Sequence, residues 1–364
     1  MRIGILGAGQ LGRMLALAGY PLGHTFVFFD EALGEATATI GKTIIGSFSD
    51  EGALTNFARE CDIITYEFEN VPCEAARFLQ SKVAVYPPPK ALEVSQDRVT
   101  EKSYIQSLGI ATPRFEPAST ERELANACVK LGIPCVAKTR RFGYDGKGQA
   151  RLSDTNEVGT VWRSLGEQPL IVEGFVPFSR ELSIIGVRGI QGDIEIYPLV
   201  QNEHRDGILN RSMSPASDVP GALKQEALAI ATKLLQSLNY VGALAIELFD
   251  VGGHLLVNEI APRVHNSGHA TIDGNITSQF ENHIRAISGM PLGAVTPRSR
   301  AVMVNLIGSL PSLSALAGLP NSKVHLYGKS PRSGRKLGHV TLLDPSQETE
   351  SRALSLVSQG IDKE

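Results

Sequence analysis

A short apolar run, Arg2-Ile-Gly-Ile-Leu-Gly7, leads straight into Gly9-Gln-Leu-Gly12 and a stretch with helical spacing to Ala18, after which His24-Thr-Phe-Val-Phe-Phe-Asp30 is apolar again. Strand, glycine turn, helix and strand in that order predict a βαβ unit, since parallel neighbours are joined only through a crossover. The alternation continues through Cys61-Asp-Ile-Ile-Thr-Tyr66 and Val83-Ala-Val-Tyr86, so the chain is predicted to open with a Rossmann-like parallel sheet. The prolines of Tyr86-Pro-Pro-Pro89 interrupt that pattern and place a first boundary near residues 86–95.

Beyond it, apolar spacing predicts a helix from Asp97 to Leu108, and Thr112-Pro-Arg begins a β-richer region. Its strand candidates are Cys135–Lys138, Leu170–Glu173, Glu181–Ile185, Ala243–Glu247 and Leu255–Glu259. The reading is therefore a mixed α/β and α+β chain: residues 1–95 Rossmann-like, 96–290 forming two β-rich lobes, and 291–364 a small β-rich C-terminal domain. A length of 364 residues agrees with several packed units, since single cores stop growing near about 250–300.

Composition narrows the function classes. Hydrophobic residues make up 42% and charged residues 20%, which is ordinary globular usage. The net charge of −3 leaves no basic excess for a nucleic-acid backbone or an anionic membrane, so small-molecule partners are predicted. Cys61, Cys73, Cys128 and Cys135 fit neither a metal pair nor a disulfide framework, which points to a reducing cytoplasm. Gln10 and Arg13 break the apolar opening, so a signal peptide is not expected, and no run is long enough to span a membrane.

Three motifs carry chemistry. Gly7-Ala-Gly9-Gln-Leu-Gly12 with Asp30 fits a dinucleotide fingerprint, a site for another phosphate, or simply a tight strand-to-helix turn. Phe142-Gly-Tyr-Asp-Gly-Lys-Gly-Gln149, just after Lys138, places two lysines and three glycines where a phosphate lid would need them; a charged hairpin turn is the plainer alternative. The third motif is Glu247 and Glu259, flanking Val251-Gly-Gly-His254. A two-residue hairpin turn would set Glu247 opposite Asn258, and a three-residue turn would set it opposite Glu259. Either register brings like charges close, a geometry that calls for a cation between them, and hard oxygen donors suit Mg²⁺ on nucleotide phosphates. His265 and His269 imitate a zinc pair at helical spacing, but Pro262 and Gly268 argue against a helix there.

Together these residues resemble the ATP-grasp superfamily, and the resemblance narrows to the 5-(carboxyamino)imidazole ribonucleotide synthase family. It is carried by Ile3–Met14, Tyr66-Glu67-Phe-Glu69-Asn70, Gln96-Asp-Arg98, Phe142–Gln149, Asn258–His269, Tyr327-Gly-Lys329 and Gly334-Arg-Lys336. What it implies is an ATP-grasp fold with a pre-ATP-grasp N-terminal domain, and carboxylation of 5-aminoimidazole ribonucleotide in purine biosynthesis. ATP, Mg²⁺ or Mn²⁺ and bicarbonate would take part, in a cytoplasmic homodimer.

The same resemblance assigns roles residue by residue. Arg98, Lys138, Lys147 and the Gly143, Tyr144, Asp145, Gly146, Gly148 and Gln149 loop would meet ATP; Glu173, Gly174, Phe175 and Val176 would line the adenine; Glu181, His204 and Asn258 would complete the nucleotide site. Glu247 and Glu259 would hold the metal, although Ala261 stands where many ATP-grasp chains carry a further Asn ligand. Arg263 is implied for bicarbonate, Asp145 or His265 as proton acceptor, and Gln10, Glu67, Tyr144, Asn266, Lys329, Arg335 and Lys336 for the aminoimidazole nucleotide, with Lys329 also a catalytic candidate. Competing expectations are another ATP-grasp ligase, formate-dependent or biotin-carboxylase-like, an NAD-dependent dehydrogenase, and a non-catalytic nucleotide binder.

Overall fold

The computed structural model describes residues 1–143 and 146–361. Its first sheet is parallel: Arg2–Leu6 lies between Thr25–Asp30 and Ile63–Tyr66, with Lys42–Ile45 and Ala84–Val85 at the edges. Phe26, Val27, Phe28 and Phe29 are all buried, as the unbroken apolar run demands of a strand covered on both faces. Lys42–Ile45 was invisible to pattern reading because it is a half-exposed edge strand. The prolines that end this region also start the next helix: Pro89 is the first residue of Pro89–Ser95, where its missing N–H costs nothing.

Four antiparallel strands, Phe115–Ala118, Leu170–Gly174, Cys135–Thr139 and Gln149–Leu152, form a second sheet backed by the helices Glu121–Leu131 and Val158–Ser164. The third sheet has nine strands. It runs from the hairpin His254–Ala261 and Gly242–Val251 through Arg180–Arg188, Val200–Arg205 and Ile208–Ser214 to Ala301–Ile307, Lys336–Leu343 and Ser322–Leu326, with Ile194–Ile196 at the side of Arg180–Arg188. The strands beyond residue 291 thus extend the sheet of the middle region, with Arg211 to Ser214 pairing to Ala301 to Val304.

The parallel and nine-stranded sheets share one core, in which Ile3, Ile5 and Leu15 meet Ile185, Ala243, Phe280 and Ile284. A polar bolt crosses it: His283 Nδ1 accepts from Ala243 N at 3.1 Å, so its Nε2 carries the proton and donates to Thr65 Oγ1 at 2.9 Å. Burial keeps that imidazole neutral, with its pKa down at about 3. The joint fixes the carboxyl ends of the parallel strands against the large sheet, and the site opens there.

Candidate active site

The three sheets enclose a cleft of about 1070 Å³. Its floor is the hairpin Gly242–Val251 and His254–Ala261. At the tip, Val251 pairs with His254 across Gly252 and Gly253, both at positive φ, 59° and 85°, which glycine tolerates. Lower down, a bulge shifts the register: Leu248 faces Val257, but Glu247 faces Glu259. Asn258 is the extra residue. A two-residue turn therefore coexists with the pairing first assigned to a three-residue turn.

Two carboxyls thus meet on a cleft wall, and the cations around them separate their ionisation. Burial and the charge of Glu259 push Glu247 up to about 7. Burial pushes Glu259 up as well, but Arg98 outweighs it and holds that carboxyl at about 2. Arg98 Nη1 meets Glu259 Oε2 at 2.6 Å. Asp97 puts this arginine in place: its side chain caps the helix Arg98–Ser107 by accepting from Val99 N and Thr100 N.

Around this pair the cleft collects Lys138, Gly143, Gly146, Lys147, Gln149, Glu181, His204 and Asn258. Lys138 Nζ donates to Glu173 Oε2 at 2.8 Å, and His204 Nδ1 lies 2.5 Å from Glu181 Oε2. Burial lowers the His204 pKa, yet the bond to Glu181 wins and raises it. Gly146 and Gly148 adopt positive φ, 75° and 72°, and a Cβ on Gly148 would come within 2.6 Å of Thr139 Oγ1. Gly148, Glu173, Gly174, Phe175 and Val176 lie off the cleft wall. Glu173 instead sits buried behind Lys138, and the Phe175 ring lies under Arg151, 4.7 Å from its guanidinium carbon. Tyr144 and Asp145 lie outside the described residues.

The same cleft also gathers Arg263, His265, Asn266, Lys329, Arg335 and Lys336. Arg263 Nε donates to Glu69. His265 Nδ1 is 2.9 Å from Ser267 Oγ, which accepts from Ser183 Oγ at 2.8 Å; Nε2 lies 3.4 Å from Glu247 Oε1. Burial first, then the charge of Arg263, pulls the His265 pKa to about 3, so the ring is neutral. Asn266 and Asn305 exchange two amide bonds, at 3.1 and 2.7 Å. Lys329 Nζ donates to Gln10 Oε1 at 2.9 Å, and Arg335 pairs with Glu35 at 3.0 Å.

The glycine fingerprint is not a dinucleotide site. Glu67 follows the strand Ile63–Tyr66, and its carboxylate accepts from Gly9 N and Gly12 N, the amides a pyrophosphate would need. Asp30, the expected ribose ligand, accepts instead from Ala8 N at 2.9 Å and Glu31 N at 2.7 Å. The dehydrogenase alternative therefore loses both of its supports.

Comparison with known proteins agrees with this geometry. Residues 1–96 match a ribonucleotide synthetase preATP-grasp domain, 103–280 an ATP-grasp domain, and 301–352 the phosphoribosylaminoimidazole carboxylase C-terminal domain. The N5-carboxyaminoimidazole ribonucleotide synthase of Pseudomonas aeruginosa is 45% identical over 342 residues, covering 94% of both chains. The chain belongs to the N5-carboxyaminoimidazole ribonucleotide synthase family. The Thermus thermophilus synthetase superposes with a TM-score of 0.93 at 48% identity, over 100% of this chain and 99% of that one. The Aspergillus clavatus synthase, solved with ADP and 5-aminoimidazole ribonucleotide, does so with 0.89 at 29% identity over 98% of each. The ATP-grasp fold and Rossmann-like opening expected from the sequence are those of this synthase family.

The donor set around Glu247 fits the divalent cation such a synthase would use. It offers two opposed carboxylates, and the buried Oδ1 of Asn258 has no hydrogen-bond partner among the described residues. No group of three or more His, Cys, Asp or Glu side chains is arranged to hold a metal ion by itself among the described residues, so nucleotide phosphates and water would supply the remaining oxygens. Sequence reading missed Glu69, Glu101, Arg140, Tyr327 and Arg332 as cleft residues. Glu69 and Tyr327 stood inside quoted motifs, and Glu101 three residues after Arg98 was the signal for a shared helix face.

Proposed function

We propose that the cleft joins bicarbonate to the amine of 5-aminoimidazole ribonucleotide at the expense of ATP, giving the N5-carboxylated nucleotide, ADP and phosphate. The observation that carries this reading is one cleft that gathers a carboxylate pair, Lys138 and Lys147, Arg263, and the cations Lys329, Arg335 and Lys336. Arg98, Lys138 and Lys147 would hold the ATP phosphates, while Glu181 and His204 would take the ribose. Glu247 and Glu259, with Asn258, would hold Mg²⁺ or Mn²⁺, which neutralises charge on the phosphates when bound.

Bicarbonate oxygen attacks the γ-phosphorus, the bond to ADP breaks, and carboxyphosphate forms. Arg263 suits this planar anion, because a guanidinium fork pairs with a carboxylate bidentately. Carboxyphosphate releases CO₂ and phosphate beside the nucleotide; the amine attacks the carbon, and its lost proton passes to phosphate. His265 Nδ1 accepts from Ser267 N, so the neutral ring carries its proton on Nε2 and offers the cleft a donor, and a pKa near 3 leaves it a poor resting base. Lys329, Arg335 and Lys336 would bind the substrate phosphate together with the Gln10 loop, and Glu67 would line the substrate site. The reading extends to a homodimer in a reducing cytoplasm, as in the family resemblance.

The decisive experiment measures ADP release with Mg-ATP and bicarbonate, with and without 5-aminoimidazole ribonucleotide, while following labelled bicarbonate into product. Stimulation with label incorporation is expected. ATP binding without stimulation keeps the fold but overturns the acceptor.

A further inference from the structure

We propose that Glu101 and Lys102 are positioning residues that clamp the backbone on both sides of Glu259 and so keep the carboxylate pair in register. The helix Arg98–Ser107 carries Arg98, Glu101 and Lys102 at i, i+3 and i+4, which is one face. All three reach consecutive residues of the hairpin. Arg98 Nη1 meets the Glu259 carboxylate at 2.6 Å, Lys102 Nζ donates to the Asn258 carbonyl at 2.7 Å, and Ile260 N donates to Glu101 Oε1 at 2.7 Å.

Asn258 is the bulged residue, and a bulge leaves its extra residue outside the ladder. Lys102 supplies the partner that the ladder does not. Without that grip, the strand could continue the register that begins at Val251 and His254, which sets Asn258 opposite Glu247. A slip of one residue turns every side chain to the other face, and Glu259 would leave the cleft.

Packing does not explain the lysine. Lys102 is fully buried, where an ammonium is costly unless hydrogen-bonded, and a methionine would fill similar space without that cost. Its other contact is Glu173 Oε1 at 3.2 Å, and Glu173 in turn holds Lys138 at 2.8 Å. One buried charge thus ties the bulge to the phosphate-facing lysine.

This inference rests on reading Glu247 and Glu259 as a cation pair, and the test separates the two claims. Binding of Mn²⁺ in the presence of ADP is followed by electron paramagnetic resonance on the intact protein, without turnover. If Glu259→Gln binds Mn²⁺ as the parent does, the cation pair itself is wrong. If Glu259→Gln loses it, Lys102→Met is expected to weaken binding about 10- to 100-fold, the range for residues behind metal ligands, while melting as a folded protein. Glu101→Met is expected to lose affinity as well, whereas Glu101→Gln, which keeps an acceptor for Ile260 N, retains it. This second pair carries the test if Lys102→Met does not fold. Parental Mn²⁺ affinity in the folded methionine variants, or equal loss in Glu101→Gln and Glu101→Met, overturns the clamp.

Discussion

Glu69 and Arg263, 194 residues apart, form one ion pair on the cleft wall, with the arginine Nε as donor. Arg263 Nη1 also donates to the Val264 carbonyl at 3.1 Å, so the guanidinium plane is set by two bonds before substrate arrives. A fork fixed in advance saves the entropy of orienting it on binding. Glu69→Gln is therefore expected to raise the KM for bicarbonate about tenfold or more, with ATP binding unchanged, in steady-state kinetics. An unchanged bicarbonate KM would mean that Arg263 needs no such support, or does not hold the anion. The pair also has a pH signature. Burial pushes Glu69 up, but Arg263 outweighs it and holds the carboxyl at about 2, below the usual 4.5. The stabilisation is thus present above 4.5 and is lost as pH falls from there toward 2; the parent's stability should fall more steeply than that of Glu69→Gln across this window.

Glu67 fills the anion site of the glycine turn with a carboxylate of the same chain. Removing it leaves the part-buried amide of Gly9 and the buried amide of Gly12 without acceptors, and a buried donor left unpaired costs about 1–3 kcal/mol. Glu67→Ala should melt lower than the parent, and inorganic phosphate should raise its melting temperature more than the parent's. Equal phosphate shifts in the two proteins would show that the turn does not bind anions.

Much of this architecture was legible because it rests on local pattern. The buried strand Thr25–Asp30 is a continuous apolar run, and the Gly252-Gly253 turn pins a hairpin wherever it occurs. What escaped reading depends on distant partners. Asn258 becomes a bulge because Lys102 holds its carbonyl across 156 residues, and no spacing announces that. Arg98, Glu101 and Lys102 did stand on one helix face, but such a charged face ordinarily meets water. Glu67 was placed at the substrate, yet the amides it occupies could be seen only once the strands Arg2–Leu6 and Ile63–Tyr66 were paired.

Within the hairpin, Glu259 is held directly by Arg98 and flanked by the bonds of Lys102 to Asn258 and of Ile260 to Glu101, and its loss should be specific. Glu259→Ala is expected to lower ATP turnover by about two orders of magnitude or more and to leave the circular dichroism spectrum unchanged. Glu247→Gln should be milder: this carboxyl is pushed up to about 7 by burial and by Glu259, so a neutral side chain already suits the pocket without a cation. Excess Mg²⁺ should restore part of its activity. Unchanged turnover of Glu259→Ala at ordinary Mg²⁺ would remove the metal assignment.

Lys329 makes the pH dependence of substrate capture predictable. Burial draws its pKa down to about 8, and the neighbouring Arg335 charge acts in the same direction. The ammonium is therefore present below pH 8 and lost above it, while Gln10 continues to offer only an acceptor at 2.9 Å. A phosphate monoester needs that cation. Since kcat/KM reports the free enzyme, its value for 5-aminoimidazole ribonucleotide should be level below the break and fall about tenfold per pH unit above it. Lys329→Arg keeps the charge throughout the range. Its profile should lose the break near 8, whatever its absolute rate; a break that persists in this variant would assign the titration to another group and leave Lys329 without the phosphate.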